Sequence, residues 1–254
     1  MISFLINAIK IIFLLGFLIL IHEGGHFLVA RICKVSVLEF SIGFGPVILT
    51  KQGKKTKYSL RLIPLGGYVN LEGEEERSDN EGSFSNASIP KRMAIVLAGG
   101  LTNIIFAIIV FFILITILTN SANLENSFGE NLNLALIKTK DFVLSIFDSL
   151  KMLFTGKVHI DQFMGPVGIS EVIVKTTGIE NYIYMLSLIS LSLGVTNLLP
   201  IPALDGGKFL LLIIEAIRGK KISEKTEMNI QLIGFAFLIT LSLYVAYNDF
   251  TRIL

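Results

Sequence analysis

The chain has no tryptophan, one cysteine and only three histidines in 254 residues. A lone Cys33 cannot form an internal disulfide, which excludes a stapled secreted module. Charge is scarce too: Asp, Glu, Lys and Arg make up 17% of the chain, against roughly 25% in soluble domains. The net charge is only +2. A disordered chain needs more charge than this, and a nucleic-acid-binding domain a stronger basic bias. The absence of Trp leaves only Tyr to supply polar-tipped rings for a membrane interface.

What is abundant is apolar: 52% of residues are hydrophobic, 19 of them Phe, and the mean hydropathy is +0.71. Uncharged, mostly apolar runs cover Ile11 to Ile21, Met93 to Leu118, Tyr182 to Leu204 and Met228 to Asn248. The last three exceed the roughly 18 residues that argue for a membrane span. The first lies inside a longer apolar stretch from Ile2 to Ala30, broken by Lys10 and a His/Glu cluster. No small-residue cleavage site follows it, so it reads as a retained span and not as a secretory signal. The expected fold is an α-helical polytopic membrane protein, a single domain over 1–254. Its four transmembrane helices are placed near 3–30, 92–118, 182–204 and 228–248.

The segment after the first span changes character. Val35 to Ile42, Pro46 to Thr50, Thr56 to Ile63 and Gly67 to Leu71 are β-prone pieces separated by Gly- and Pro-containing turns, predicting a hairpin or sheet insertion over 35–71. Lys51, Lys54, Lys55 and Lys57 put one hairpin tip in water or against anionic headgroups. The sheet is either a small cytoplasmic domain or one dipping toward a membrane-embedded site. Glu72 to Ser88, polar and rich in Ser and Asn, reads as a linker without a core. Phe142, Ile146, Leu150 and Phe154 recur at fourfold spacing, predicting an amphipathic helix over 138–154 that lies on the outer membrane surface or packs on neighbouring spans. Four spans put both termini on one side. The ten Lys and Arg residues between the first two spans, some close to the span ends, make that loop cytoplasmic and the termini external.

His22-Glu23-Gly24-Gly25-His26 carries the strongest chemical signal. On a helix, histidines four positions apart share a face and can reach one Zn²⁺, with Glu23 beside it to accept a proton from water. A carboxylate at membrane depth is itself a mark of function. A catalytic zinc usually has a third protein ligand. Asp205 is the best candidate: it follows Pro200 and Pro202, which break the third span, and broken backbone at membrane depth must line protein or a watery cavity. Its alternative role is to cap the helix beginning near Gly206. His159 is a weaker competitor, in a polar loop placed on the opposite side of the membrane.

These residues resemble the site-2 proteases, the intramembrane zinc metalloproteases, and more closely their bacterial regulated-intramembrane-proteolysis branch. HEGGHFLVAR is similar to the family's HExxH region and NLLPIPALDGGK to its second signature. GFGPVILTKQGKKTKYSLRLIPLGGYV resembles its membrane-associated β-loop, AGGLTN its second-span motif, and KMLFTGKVHIDQFMGPVGI the segment before its third span. The resemblance implies His22, His26 and Asp205 as zinc ligands, Glu23 as general base, and Asn197 near the substrate backbone; Asn103 is a packing or substrate-facing group. It also implies a multi-pass protein of the bacterial inner membrane with its active site toward the cytoplasm. The implied substrates are single-pass membrane proteins or remnant signal peptides; the lipid bilayer is the other partner. Two features depart from the family. Thr119 to Ile137 is too short to hold the PDZ domain common in that branch, and Gly99-Gly100 stands where Gly-Pro is common before Asn103. The rival functions are a non-proteolytic metal transporter and a zinc-stabilised membrane scaffold or chaperone, neither of which needs Glu23 between the two histidines.

Overall fold

The computed structural model describes residues 2–74, 76–122, 127–155 and 165–253. Helix α1 (Ile2–Ile32) leads into strands β1 (Val37–Gln52) and β2 (Lys57–Leu71). They are followed by α2 (Ile89–Ala122), α3 (Phe128–Phe154), α4 (Pro166–Lys175), α5 (Ile179–Asn197), α6 (Asp205–Arg218) and α7 (Glu224–Ile253). Among the described residues four helices, α1, α2, α5 and α7, are long and apolar enough to cross a membrane, over Leu5–Ile32, Ile89–Ser121, Ile179–Asn197 and Glu224–Thr251. Four such helices were expected and four are present, but the third ends at Asn197, short of the expected 204. His159 lies outside the described residues.

The chain forms two compact units: Met1–Asn103 with Gly194–Leu238, and Ile104–Leu193 with Ile239–Leu254. In the first unit the strands pair antiparallel, but both bend. Partner numbers show that Glu39–Ile42 is flanked twice, by Asn70–Gly67 running against it and by Lys57–Leu60 running with it. Lys57–Arg61 in turn pairs with Gln52–Val47. The four β-prone pieces of the sequence thus survive as segments of two continuous strands. Gly43 and Gly45, expected as turns between strands, sit at positive φ (88° and 82°) inside β1, where they bend it without ending it. Among the described residues the segment Gly67–Leu71 has strand partners on one side only and forms an edge of the sheet.

The stretch Glu72 to Ser88 builds no core of its own, as its composition suggests, but it is anchored in the core of its neighbours. Phe84 packs in a core with Ala30, Val35, Val37, Leu71, Ile95, Val96 and Leu212. Around it the Ser78 carbonyl accepts bonds from Ser83 Oγ, Ser85 Oγ and Asn86 Nδ2, all at 3.0 Å. Low hydrophobicity is enough here because one Phe and a ring of hydroxyls satisfy this short segment. Arg92, at the start of α2, meets Glu215 of α6 at 2.7 Å in a buried pair, and Glu215 also accepts the Ile222 N–H at 2.8 Å.

In the second unit α3 starts well before residue 138, at a capping box: Ser127 N–H donates to Glu130 Oε2 at 2.7 Å and Glu130 N–H to Ser127 Oγ at 3.3 Å. It runs back along α2, with Asn131 Nδ2 donating to Asn120 Oδ1 (3.1 Å) and Phe142 stacked on Phe111 at 4.0 Å between centroids. Of the two placements open from sequence, it packs on a neighbouring span.

The third span breaks as the prolines require. After α5 ends at Asn197, an irregular segment of turns and bends follows before α6 begins at Asp205. Ala203 sits at φ 72°, unfavourable for a residue with a Cβ, and its N–H is held by Gln231 Oε1 of α7 at 2.6 Å. Gly206 and Gly207 let the turn's carbonyls press directly against α6.

Candidate metal centre

Helix α1 continues through His22–His26, so the four-residue spacing stacks both imidazoles on one face. Their Nε2 atoms are 3.3 Å apart. Asp205 Oδ2 lies 3.2 Å from His22 Nε2 and 3.3 Å from His26 Nε2. Zinc–ligand bonds of about 2.0–2.1 Å make each edge of a tetrahedral face about 3.3 Å. The three donor atoms therefore form one face of a zinc-sized tetrahedron. Asp205 Oδ2 is buried at ion-pair distance from the histidines but makes no hydrogen bond of proper geometry among the described residues. A carboxylate oxygen so placed fits a cation better than it fits the rings, so the residues suit zinc. His26 Nδ1–H donates to the Ile95 carbonyl of α2 at 2.8 Å, which leaves the Nε2 lone pair for a metal. Among the described residues this is the one cluster of three such ligand side chains.

Asp205 is the first residue of α6, and the N-cap is Leu204, which makes no side-chain cap bond. The capping alternative therefore fails, and the carboxylate turns to the histidines. Close helix packing lets this happen. A Cβ at Gly99 of α2 would stand 2.7 Å from His22 Cε1 and 2.8 Å from His22 Nε2, and closer still to His26 Nε2. Only glycine leaves the space that the imidazoles occupy. The sequence shows Gly99 only as the first residue of a Gly-Gly pair standing where Gly-Pro is common; its role is visible only once α2 packs against α1.

Glu23 borders the same cavity as the three ligands, a space of about 510 Å³ that also reaches Tyr68–Leu71, Glu74 and Lys208. The second half of β2 lies over Glu23 at Gly67, where a Cβ would come 3.3 Å from Glu23 Cγ. The sheet therefore belongs to the site, and its free edge forms a wall of the cavity. Arg61 anchors that edge: it donates to the Tyr68 hydroxyl at 2.6 Å and pairs with Glu39 at 3.2 Å. Burial opposes the Glu39 charge, but bonds from Ser59, Tyr68 and Arg61 and the nearby Lys57 hold its carboxyl below the usual range. This support is complete above the ordinary carboxylate pKa and fades as pH falls through the lowered one. Lys208 stands 2.8 Å from Glu74. Its burial disfavours the charge, yet the neighbouring Glu74 outweighs that and keeps its pKa above the ordinary lysine range.

The two asparagines fare differently from the ligands. Asn103 is fully buried on α2, four residues beyond Gly99 and so on the same helix face. Asn197 is the half-buried last residue of α5. Neither borders the cavity. Tyr68, Glu74 and Lys208 do, and sequence reasoning missed them. Lys208 alone left a signal, at helical spacing three residues after Asp205.

The model of Peptidase family M50 matches residues 10–241. A Clostridium acetobutylicum protein named as a presumed zinc metalloprotease is 31% identical, over 96% of this chain and 97% of its own length. Its alignment runs over 328 positions, so that relative carries material with no counterpart in these 254 residues. The zinc metalloprotease RasP of Oceanobacillus iheyensis is 23% identical over 97% of this chain and 99% of its length. The RasP of Shouchella clausii is 45% identical over 43% of this chain and 27% of its own. With its membrane-spanning helices and a zinc-shaped set of His, His and Asp donors, the chain belongs to Peptidase family M50, as a zinc-dependent intramembrane protease of the site-2 type.

Proposed function

We propose that His22, His26 and Asp205 hold the zinc, that Glu23 is the general base, and that the two units serve a single protease domain over 1–254. The observation that carries this reading is the tetrahedral face of donor atoms with Glu23 beside it on one cavity. When bound, zinc supplies Lewis acidity to the scissile carbonyl and acidifies water. Glu23 accepts the proton that water gives up on attacking the carbonyl carbon, then delivers it to the departing amine nitrogen. His26 stays in the ligating tautomer through the Ile95 carbonyl.

A peptide bond inside a transmembrane helix is shielded by its own hydrogen bonds, so the substrate must unwind locally. The edge Tyr68–Leu71 offers unpaired backbone groups along the cavity, suited to adding an extended substrate strand. Asn197, at the broken end of α5, is proposed to hydrogen-bond the opened substrate backbone, and Asn103 to face it or pack behind the site. The substrates are single-pass membrane proteins or remnant signal peptides of a bacterial inner membrane. Both termini lie outside and the site toward the cytoplasm, the orientation supported by the basic first and third loops.

Glu23→Gln tests the reading. It nearly preserves side-chain size, so bound zinc should stay at the wild-type level. Cleavage of a helix-destabilised transmembrane peptide should fall by roughly 10² to 10⁴. A folded, zinc-loaded variant that cleaves at the wild-type rate would reject Glu23 as base.

A further inference from the structure

The cavity holds one charged pair that hydrolysis, as described above, does not use. Glu74 follows directly on the edge strand: its N–H donates to the Leu71 carbonyl at 3.2 Å, and Gly73 at φ 79° turns the chain. Lys208 lies three residues after Asp205, nearly one turn along the same helix α6. Its Nζ meets Glu74 Oε1 at 2.8 Å across 134 residues of sequence, and both side chains border the cavity that contains the three metal-ligand side chains. The two charges cancel, so the pair adds none to the cavity. What it does is tie the end of the edge strand to the helix that carries the third ligand.

We propose that the Glu74–Lys208 ion pair is a positioning bridge. It fixes the spacing between the edge Tyr68–Leu71 and the Asp205 helix, and so sets how firmly an extended substrate is held beside the metal. The inference rests on the proposed pairing of substrate with that edge. The bridge acts through the strand and touches neither the water nor the scissile bond. Its loss should therefore be felt in substrate binding more than in the chemical step, because His26 has its own partner in the Ile95 carbonyl and His22, Glu23 and His26 all stand on α1, which the bridge does not join.

The test uses the full chain in detergent and a fluorescent single transmembrane peptide with a Gly-Pro break at its centre. KM, kcat and zinc per chain are measured for wild type, Glu74→Gln, Lys208→Gln, and the charge-swapped Glu74→Lys/Lys208→Glu. A partly exposed pair of this kind should raise KM by about three- to fivefold in either single variant, with zinc retained and kcat little changed. The swapped chain should return KM close to wild type, since a bridge needs opposite charges and not a particular order. Glu74→Asp keeps the charge but shortens the reach, and should fall between wild type and Glu74→Gln. Single variants that lose zinc or their fold, or that lower kcat with KM unchanged, would overturn the proposal. So would a swapped chain no better than the singles, the result expected if Lys208 touches the substrate directly. A peptide carrying backbone esters in place of amides around the cleavage site examines the strand-pairing reading separately. Equal KM for ester and amide peptides in wild type would sink that reading whatever the charge swap shows.

Discussion

The two compact units solve the problem of polar groups in an apolar chain in opposite ways. The first unit gathers charge: the His22, His26 and Asp205 donors, the buried Arg92–Glu215 pair and the Glu74–Lys208 bridge. The second relies on aromatic contact and on hydroxyls returned to their own helix. Phe111, Phe142 and Tyr184 form a cluster, while Thr116, Thr139 and Ser187 each donate to a carbonyl four residues back. Its one buried carboxylate among the described residues, Asp249, accepts the Gly168 N–H at 2.8 Å near the start of α4. These charges are tolerated because each stands close to a partner, and the three donors suit a metal. Chemistry therefore concentrates in the first unit, and the second reads as helix packing.

Removing one member of a buried pair tests this contrast most severely. Arg92→Met strands the Glu215 carboxylate and should cost about 3–5 kcal/mol, read as a lower unfolding midpoint in detergent. Adding Glu215→Gln, which removes the charge but keeps an acceptor for Ile222, should recover most of the loss. No recovery would mean that the pair does more than balance charge.

Gly99→Val should come next. The added methyl groups have no space beside the two imidazoles, and displacing catalytic groups by about 1 Å can cost on the order of 10²-fold in rate. Zinc per chain and peptide cleavage should fall together while α2 keeps its helix content. Normal zinc binding would show that the two histidines can move aside.

Phe142→Leu marks the small end of the series and belongs to the other unit. Losing the stacked pair with Phe111 should lower stability by about 1 kcal/mol, leaving zinc content and turnover of the folded protein unchanged. A loss of zinc in this variant would break the division between chemistry and packing. That result would show the second unit supporting the metal centre.

Much of this was legible in the linear chain, because the signals are local. Apolar runs longer than a bilayer core announce the spans, and the four-residue period of a helix puts His22 and His26 on one face with Glu23 adjacent. Pro200 and Pro202 forecast the break before Asp205. Even the four β-prone pieces were in the right places, although Gly43 and Gly45 bend a strand where turns were expected. The capping box Ser127-Phe128-Gly129-Glu130 was a readable start for α3 that the apolar pattern alone overlooked.

What residue spacing could not hold is the geometry between elements far apart in the chain. That Asp205 completes a face with the histidines and does not cap α6 depends on where the broken third span turns. That Gly99 must lack a side chain depends on how closely α2 approaches α1. The edge Tyr68–Leu71 borders the metal cavity, and Glu74 reaches Lys208, because the sheet folds back over Glu23 at Gly67. Spacing along a helix or strand is set by covalent geometry and local hydrogen bonding, so a few residues suffice to encode it. Contacts across 134 or more residues, such as Glu74–Lys208 and the histidines with Asp205, are set by how apolar faces close on one another, and only the folded chain decides them.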